Sequence, residues 1–350
     1  MRIQPIFYTP IQNRNTSYRK QQLGIQPPKN TGKDVSFQAI RFPAFANTNI
    51  DQVVNIYKAM REYHLGITPA QARELNKRDG FDFLQGALDF LCDRFYIPRS
   101  IKPSLTTNTD EIPDAIRFIS YLNEITIKQK YINFGEKQHV FAAVKHEFVH
   151  YMRNLFLFQH EKIGLKHVEE LSEEFVGDMQ MEIYKAIKNP TKENLQKIEQ
   201  NPYYKEKYDQ VKKLYNQKKY SEIANLFFLA KFENMVKYKQ FRENVIRRFG
   251  EVKKDSPMAS RIEQIYKEKR ETNYYNGDEM PDMRLYIASK EEQAALTAQA
   301  QARFEYEMAL KKPDIPETSR TGAISYLRFI ANAKNENDLF EFRYLQQFIQ

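Results

Sequence analysis

Val140-Phe-Ala-Ala-Val-Lys-His146-Glu147-Phe-Val-His150-Tyr-Met-Arg-Asn-Leu-Phe156 is the stretch from which the rest of the chain is best understood. It contains neither Gly nor Pro, and its apolar residues recur at helical spacing, which predicts a helix. Residues four apart share a helix face, so His146 and His150 can offer two imidazole nitrogens to one metal ion. Glu147 projects beside that ion, where it can take a proton from a metal-bound water. The stretch therefore predicts a metal-binding helix that carries a general base.

A second predicted helix, from about Lys166 to Lys188, carries the candidate third ligand. A catalytic zinc usually takes three protein ligands and keeps one position for water. Gly164 is expected to end the first helix, and Glu174 and Asp178 then lie four residues apart on one face of the second. Gly177, just before Asp178, would let two helices approach closely.

This pair of helices resembles the gluzincin metallopeptidases, the thermolysin-like clan. In that clan His-Glu-x-x-His is followed by a helix with Glu-x-x-x-Asp, often with a small residue before the Asp. The resemblance implies one Zn²⁺ per chain, held by His146, His150 and Glu174. It implies that Glu147 is the catalytic general base and that Asp178 orients a ligand histidine. The substrate would be a peptide or protein whose peptide bonds are hydrolysed.

Other acidic residues compete with Glu174 for the third-ligand position. Glu173 is its direct neighbour, and Glu291 and Glu292 open a later predicted helix. Glu292-x-x-Ala loosely resembles the Glu-x-x-Ala pattern of other gluzincins, but Leu296 stands where that pattern has Asp or Asn. We prefer Glu174 because its segment keeps both the small residue and the Asp. A donor for the reaction's oxyanion stays open among His160, His167, Tyr184 and later tyrosines.

The segments before the metal-binding helix predict a helix and a small sheet. Phe81 to Tyr96 has helical periodicity, Ser100 to Thr107 predicts a weak strand, and Glu124 to Phe134 predicts a stronger one. In gluzincins an edge strand aligns the substrate through backbone hydrogen bonds, and Tyr131 to Phe134 is our candidate for that edge. The predicted fold class is α+β and mostly helical. It has a zincin-like core of small sheet, metal-binding helix and ligand helix, with a helical C-terminal region.

Composition divides the chain into three regions. Residues 1–45 predict a disordered basic tail, residues 46–190 a zincin-like metallopeptidase domain, and residues 191–350 a helical region. Residues 1–40 hold six basic side chains against Asp34 alone, so the tail accounts for more than half of the net charge of +9. No signal peptide or membrane span is evident, which favours a cytoplasmic protein. Further helices are predicted at 47–64, 323–333 and 336–349.

Two other functions are compatible with the sequence. A catalytically inactive zincin-like protein could serve as a binding or scaffold protein, because long helical regions have no assigned role. A basic helical nucleic-acid-binding protein is less favoured. It depends on the net charge and on the interleaved lysines and tyrosines of Tyr203 to Tyr220. Such a run more often forms an amphipathic helix whose lysine stems cover apolar surface.

Overall fold

A computed structural model describes residues 67–95, 97–108, 116–271 and 290–310 of the chain. In these ranges the protein is mostly helical and has one small mixed sheet, which confirms the α+β class. No helix among the described residues combines the length and the apolar character needed to span a bilayer. The predicted tail at 1–45 and the helices predicted at 47–64, 323–333 and 336–349 lie outside the described residues.

Ten helices and three strands follow one another in the described ranges. They are α1 (Pro69–Asn76), α2 (Gly80–Arg94), β1 (Ser104–Asn108), β2 (Ile116–Ile119), β3 (Glu124–Lys128), α3 (Gln129–Phe134), α4 (Lys137–Gln159), α5 (Glu161–Lys188), α6 (Lys192–Gln200), α7 (Pro202–Asn216), α8 (Tyr220–Phe249), α9 (Pro257–Glu271) and α10 (Lys290–Ala309). The His-Glu-x-x-His motif, His146 to His150, lies in the middle of α4.

Several helix starts follow directly from capping residues. The Thr68 hydroxyl accepts a hydrogen bond from the Gln71 backbone N–H, and Pro69 occupies the first helical position of α1. Thr191 caps α6 and Asn201 caps α7 in the same manner. The chain therefore breaks next to Pro190 and Pro202, and the capping side chains satisfy backbone donors that the helices leave unpaired.

The sheet differs from the predicted one in the position of the edge expected to align a substrate. β3 is central, β1 pairs with it in parallel, and β2 pairs with it antiparallel and packs on α4. Tyr131 to Phe134 belong to helix α3 rather than to a strand, so that prediction was wrong. Tyr131 and Ile132 both pack on the core although they are neighbours, which a strand with alternating side chains does not allow. β2 is the edge strand beside α4, the helix that carries His146 and His150.

The junction between α4 and α5 differs from the predicted break at Gly164. The chain turns at His160, which has extended backbone angles and whose ring accepts a hydrogen bond from the Ile163 N–H. Gly164 lies inside the first turn of α5. A Cβ there would come within 2.5 Å of Arg242 Nε and 3.1 Å of the Leu157 carbonyl oxygen, so Gly164 serves close packing. A Cβ at Gly177 would meet no atom within 4 Å, so Gly177 does not mediate the predicted close approach of two helices.

The main hydrophobic core surrounds α4 and combines residues from both sides of position 190. Phe141, Phe148 and Tyr151 of α4 are buried, and Tyr306 of α10 packs on Phe141 with ring centroids 5.1 Å apart. Helix α10 thus contributes to the same core as the predicted metallopeptidase region. This packing brings α10 alongside the histidine pair.

A second core is formed by helices α5 to α8. Tyr204, Tyr208 and Val211 of α7 are buried in it, against residues such as Met179 of α5. These tyrosines belong to the lysine- and tyrosine-rich run in the sequence. Their burial favours the amphipathic-helix interpretation of that run, since a nucleic-acid interface would need the rings on the surface.

The buried His167 of α5 gives folding a defined pH dependence. Its Nε2–H donates to Asn154 Oδ1 of α4 at 2.5 Å, and Phe158 meets it edge to face. Burial, with nearby Lys269 adding to its effect, holds the pKa of His167 well below the ordinary value of 6.5. The folded protein keeps this ring neutral, whereas the unfolded chain protonates it below about pH 6.5.

We therefore expect stability to fall on acidification through this histidine. Relative to His167→Gln, the wild type should lose about 1.4 kcal/mol of unfolding free energy between about pH 7.5 and about pH 5.5. Urea denaturation of both proteins at the two pH values measures the difference. An equal pH dependence in the two proteins would show that His167 does not remain neutral in the fold.

Candidate metal centre

Helices α4 and α10 together build a polar cluster next to the core. α4 is buried along most of its length, whereas the His146 and His150 side chains keep 12% and 14% of their surface exposed. Ala295 and Ala298 of α10 pack on Val149 of α4. Because these residues are small, α10 can lie close to α4 at the level of the histidines.

Three donor groups converge at this point. His146 Nε2 lies 3.2 Å from His150 Nε2. His146 Nε2 also lies 3.3 Å from Glu292 Oε2, and His150 Nε2 lies 3.3 Å from Glu292 Oε1. Ligands bound tetrahedrally at about 2.0–2.1 Å from a zinc ion lie about 3.3–3.4 Å apart. Among the described residues, this is the one group of three or more His, Cys, Asp or Glu side chains close enough to share a metal ion.

The far side of each ring is fixed by a hydrogen bond. His146 Nδ1 lies 3.0 Å from Gln299 Oε1, and His150 Nδ1 lies 3.2 Å from Glu291 Oε1. Amide and carboxylate oxygens only accept hydrogen bonds, so both Nδ1 atoms carry the hydrogen. The two Nε2 lone pairs then point at each other and at a carboxylate. A shared cation, or a proton, relieves that repulsion.

Electrostatics around His150 support a site for positive charge. Burial alone would lower its pKa, but hydrogen bonds to Glu291 and Glu292 outweigh burial and raise the pKa of His150 to about 10. Burial would raise the pKa of Glu291, yet the His150 hydrogen bond and the charges of Arg153 and Lys269 lower it to about 2. A metal ion at His150 Nε2 would compete with a proton for the same lone pair.

Glu147 lies between the cluster and the edge of the sheet. Its side chain is buried, and Oε2 accepts a hydrogen bond from the Phe118 N–H of β2 at 2.6 Å. Oε1 lies 3.9 Å from His146 Nε2. Burial raises the pKa of Glu147 despite the opposing effects of His146 and His150. A buried carboxylate of raised pKa beside a metal site is suited to accept and return a proton.

The acidic residues of α5 lie elsewhere, so Glu174 is not brought to the histidines. Glu174 is exposed on α5, where Lys269, Asp178 and Glu170 act on it electrostatically. Asp178 Oδ2 accepts a hydrogen bond from Tyr121 at 2.5 Å and does not orient a ligand histidine. The physical reason is helix placement: α10, not α5, lies along the middle of α4. Glu292, the competing candidate from the later helix, lies beside the two histidines, where Glu174 was expected.

The remaining candidates also have definite positions. Glu173 binds Lys231 of α8 at 2.6 Å. His160 caps α5, His167 is buried against Asn154, and the Tyr184 ring packs against Tyr215. None of these groups is positioned near the three donors by a described contact.

Sequence reasoning did not identify two residues that support the cluster, Gln299 and Phe118. Gln299 lies seven positions after Glu292, which is two helical turns, and so shares its helix face. Phe118 contributes only its backbone N–H, which no side-chain pattern reveals. The helical spacing of Glu292, Ala295, Ala298 and Gln299 is the signal that would have indicated this face of α10.

Comparison with protein-family models, with curated proteins and with solved structures finds no match to the chain.

Proposed function

We propose that the protein is a zinc-dependent peptidase that hydrolyses peptide bonds with Glu147 as the general base. One zinc ion per chain would be held by His146, His150 and Glu292. The observation that carries the proposal is the separation of 3.2–3.3 Å among two imidazole nitrogens and one carboxylate that face a common point. Two His and one Glu form a ligand set that catalytic zinc uses.

The surroundings of the ligands also fit zinc. Each ligand histidine donates its other ring hydrogen to an oxygen, Gln299 Oε1 or Glu291 Oε1, which fixes the tautomer that binds a metal. Soft metals that prefer thiolates are not favoured, because the one cysteine of the chain, Cys92, is buried in the core. Bound here, zinc would lower the pKa of a coordinated water to about 7 and stabilise negative charge on the scissile carbonyl oxygen.

Glu147 supplies the proton transfers in this proposal. Its carboxylate would take a proton from the attacking water and return it to the amine that leaves when the peptide bond breaks. Burial raises the pKa of Glu147, which suits a carboxyl group that must both accept and return a proton. The Phe118 N–H holds the carboxylate between the sheet edge and the histidines.

The edge strand β2 supports a peptide as the substrate. β2 pairs with β3 on one side only among the described residues and packs on α4. An extended peptide can add to such an edge through backbone hydrogen bonds. It would lie along β2, with its scissile bond at the metal centre beside Glu147.

The assignment of a zincin-like core is part of the same proposal. A helix, a small sheet with an antiparallel edge strand and a His-Glu-x-x-His helix follow one another in the order expected of a zincin core. The third ligand would come from α10, after a long helical insertion, instead of from the helix that follows the histidines. Inactive binding proteins of this type need not keep a buried base, whereas Glu147 is in place.

A peptide screen tests the activity. The protein loaded with zinc would be incubated with a mixed-sequence peptide library, and new termini would be identified by mass spectrometry. We expect cleavage that stops when a chelator removes the metal and returns when zinc is added. No cleavage of any peptide by fully zinc-loaded protein would contradict the peptidase assignment and favour a binding role.

Gln299 should strengthen zinc binding without touching the ion. Gln299→Ala removes the acceptor for His146 Nδ1–H, and loss of such a contact typically weakens metal affinity by about 10–100-fold. Competition with a fluorescent chelator measures the change. Gln240→Ala on the exposed surface of α8 is the matched control and should leave affinity unchanged. Equal affinities for all three proteins would remove Gln299 from the site.

A further inference from the structure

We propose that the protein self-associates through an apolar face of α8, with a second copy packed antiparallel about a two-fold axis. The face consists of Phe228, Leu229, Phe232 and Val236, called the α8 patch below. This proposal is independent of the metal centre.

The α8 patch is apolar on the side where a surface helix should be polar. Its four side chains are 59%, 55%, 50% and 53% exposed. The ring centroids of Phe228 and Phe232 lie 4.9 Å apart. The opposite face of the same turns packs inward through Phe227 and Ala230. A helix that is apolar all round is normally buried on both sides.

The patch also stands out from the rest of the surface. Half of the large hydrophobic side chains that are exposed in the described residues belong to it; the others are Phe81, Leu165, Met181 and Tyr220. Single exposed apolar residues need no explanation, whereas a contiguous group indicates an interaction site. The α8 patch is therefore a candidate interface.

Charge at the two ends of the patch favours a second copy as the occupant. Lys218 is exposed just before α8 begins, and Glu243 is exposed toward its other end. Antiparallel pairing about an axis near residues 230 and 231 places Leu229 opposite Phe232 of the second copy. The same axis brings Lys218 opposite Glu243. A parallel pairing would instead place Glu243 opposite Glu243, which is repulsive.

The size of the patch sets the expected strength. Aromatic side chains bury about 150–250 Å² each, so four half-exposed side chains provide roughly 400 Å² per copy. Stable interfaces bury about 800 Å² per partner. We therefore expect a reversible dimer with a Kd in the micromolar range.

Sedimentation of the full chain between about 1 and about 100 µM tests this inference. The wild type should shift from monomer to dimer over this range, with or without a chelator. Phe232→Glu should raise the Kd at least tenfold, because it buries a charge in the interface. Met181→Glu, at an equally exposed apolar residue outside the patch, should leave the Kd unchanged.

The end charges provide a second test that only the antiparallel pairing passes. Glu243→Lys should weaken the dimer, and adding Lys218→Glu to it should restore the wild-type Kd. A wild type that stays monomeric at about 100 µM overturns the proposal, even if its patch binds anionic vesicles. A dimer whose Kd is unchanged by Phe232→Glu would also overturn the proposal.

Discussion

Replacing Glu147 with Gln should lower the rate of peptide hydrolysis by about 10²- to 10⁴-fold. The substitution removes the proton acceptor but keeps the shape, and a Gln oxygen can still accept the hydrogen bond from the Phe118 N–H. The zinc content should stay at the wild-type value, since Glu147 is not among the proposed ligands. Steady-state cleavage of a peptide from the library screen, with zinc measured in the same samples, gives both quantities.

Glu174→Gln is the matched control for this experiment. Glu174 is an exposed carboxylate on the next helix and does not belong to the cluster formed with the histidines, so its loss should leave the rate within about twofold of wild type. Full activity in zinc-loaded Glu147→Gln would show that another group accepts the proton, and the proposed mechanism would be wrong.

The largest effect on stability is expected at Glu268 of α9. Its two carboxylate oxygens bind Arg153 of α4 and Arg261 of α9, and all three side chains are at least nine-tenths buried. Glu268→Gln removes the negative charge that both guanidinium groups share. Breaking a buried ion pair by removing one partner costs about 3–5 kcal/mol, because the remaining charge stays desolvated. Urea denaturation measures this loss.

An exposed ion pair provides the comparison. Glu251 binds Arg242 at 2.8 Å, but its side chain is 40% exposed. Glu251→Gln should cost less than about 1 kcal/mol, because water screens the pair and solvates what remains. If Glu268→Gln were as mild as Glu251→Gln, α9 would not be held to α4 by this network.

Local pattern was enough to predict the helix that carries the histidine pair but not the helix that packs on it. The spacing of Phe141, Phe148 and Tyr151 predicts a helix with one buried side, and these residues are buried as that pattern requires. The pairing of His146 with His150 follows from helix geometry alone. Both inferences use contacts within a few residues of each other.

The identity of the proposed third ligand depends on long-range packing, and local rules cannot rank the candidates. Glu174 is 24 positions from His150 and Glu292 is 142, so proximity in sequence favours the former. The structure favours Glu292 because Ala295 and Ala298 let α10 pack on Val149. That complementarity involves three small or branched apolar residues, which sequence periodicity does not distinguish from ordinary core.

The sheet edge was misassigned for a similar reason. Glu124 to Phe134 has strand-like composition throughout, but the strand ends at Lys128. The following residues pack as a helical turn because Tyr131 and Ile132 both find the core. β2 is only four residues long, too short for alternation to predict it, and its role comes from lying beside α4.

Zinc per chain, measured by elemental analysis on wild type, Glu292→Ala and Glu174→Ala, tests the central claim most directly. The account predicts one zinc in wild type and in Glu174→Ala after dialysis against a weak chelator. It predicts little or none in Glu292→Ala, whose two remaining ligands cannot hold the ion as tightly. Zinc retained by Glu292→Ala and lost by Glu174→Ala would contradict the proposed centre. Absence of zinc in folded wild type, even after zinc is added, would contradict the zinc-peptidase function itself.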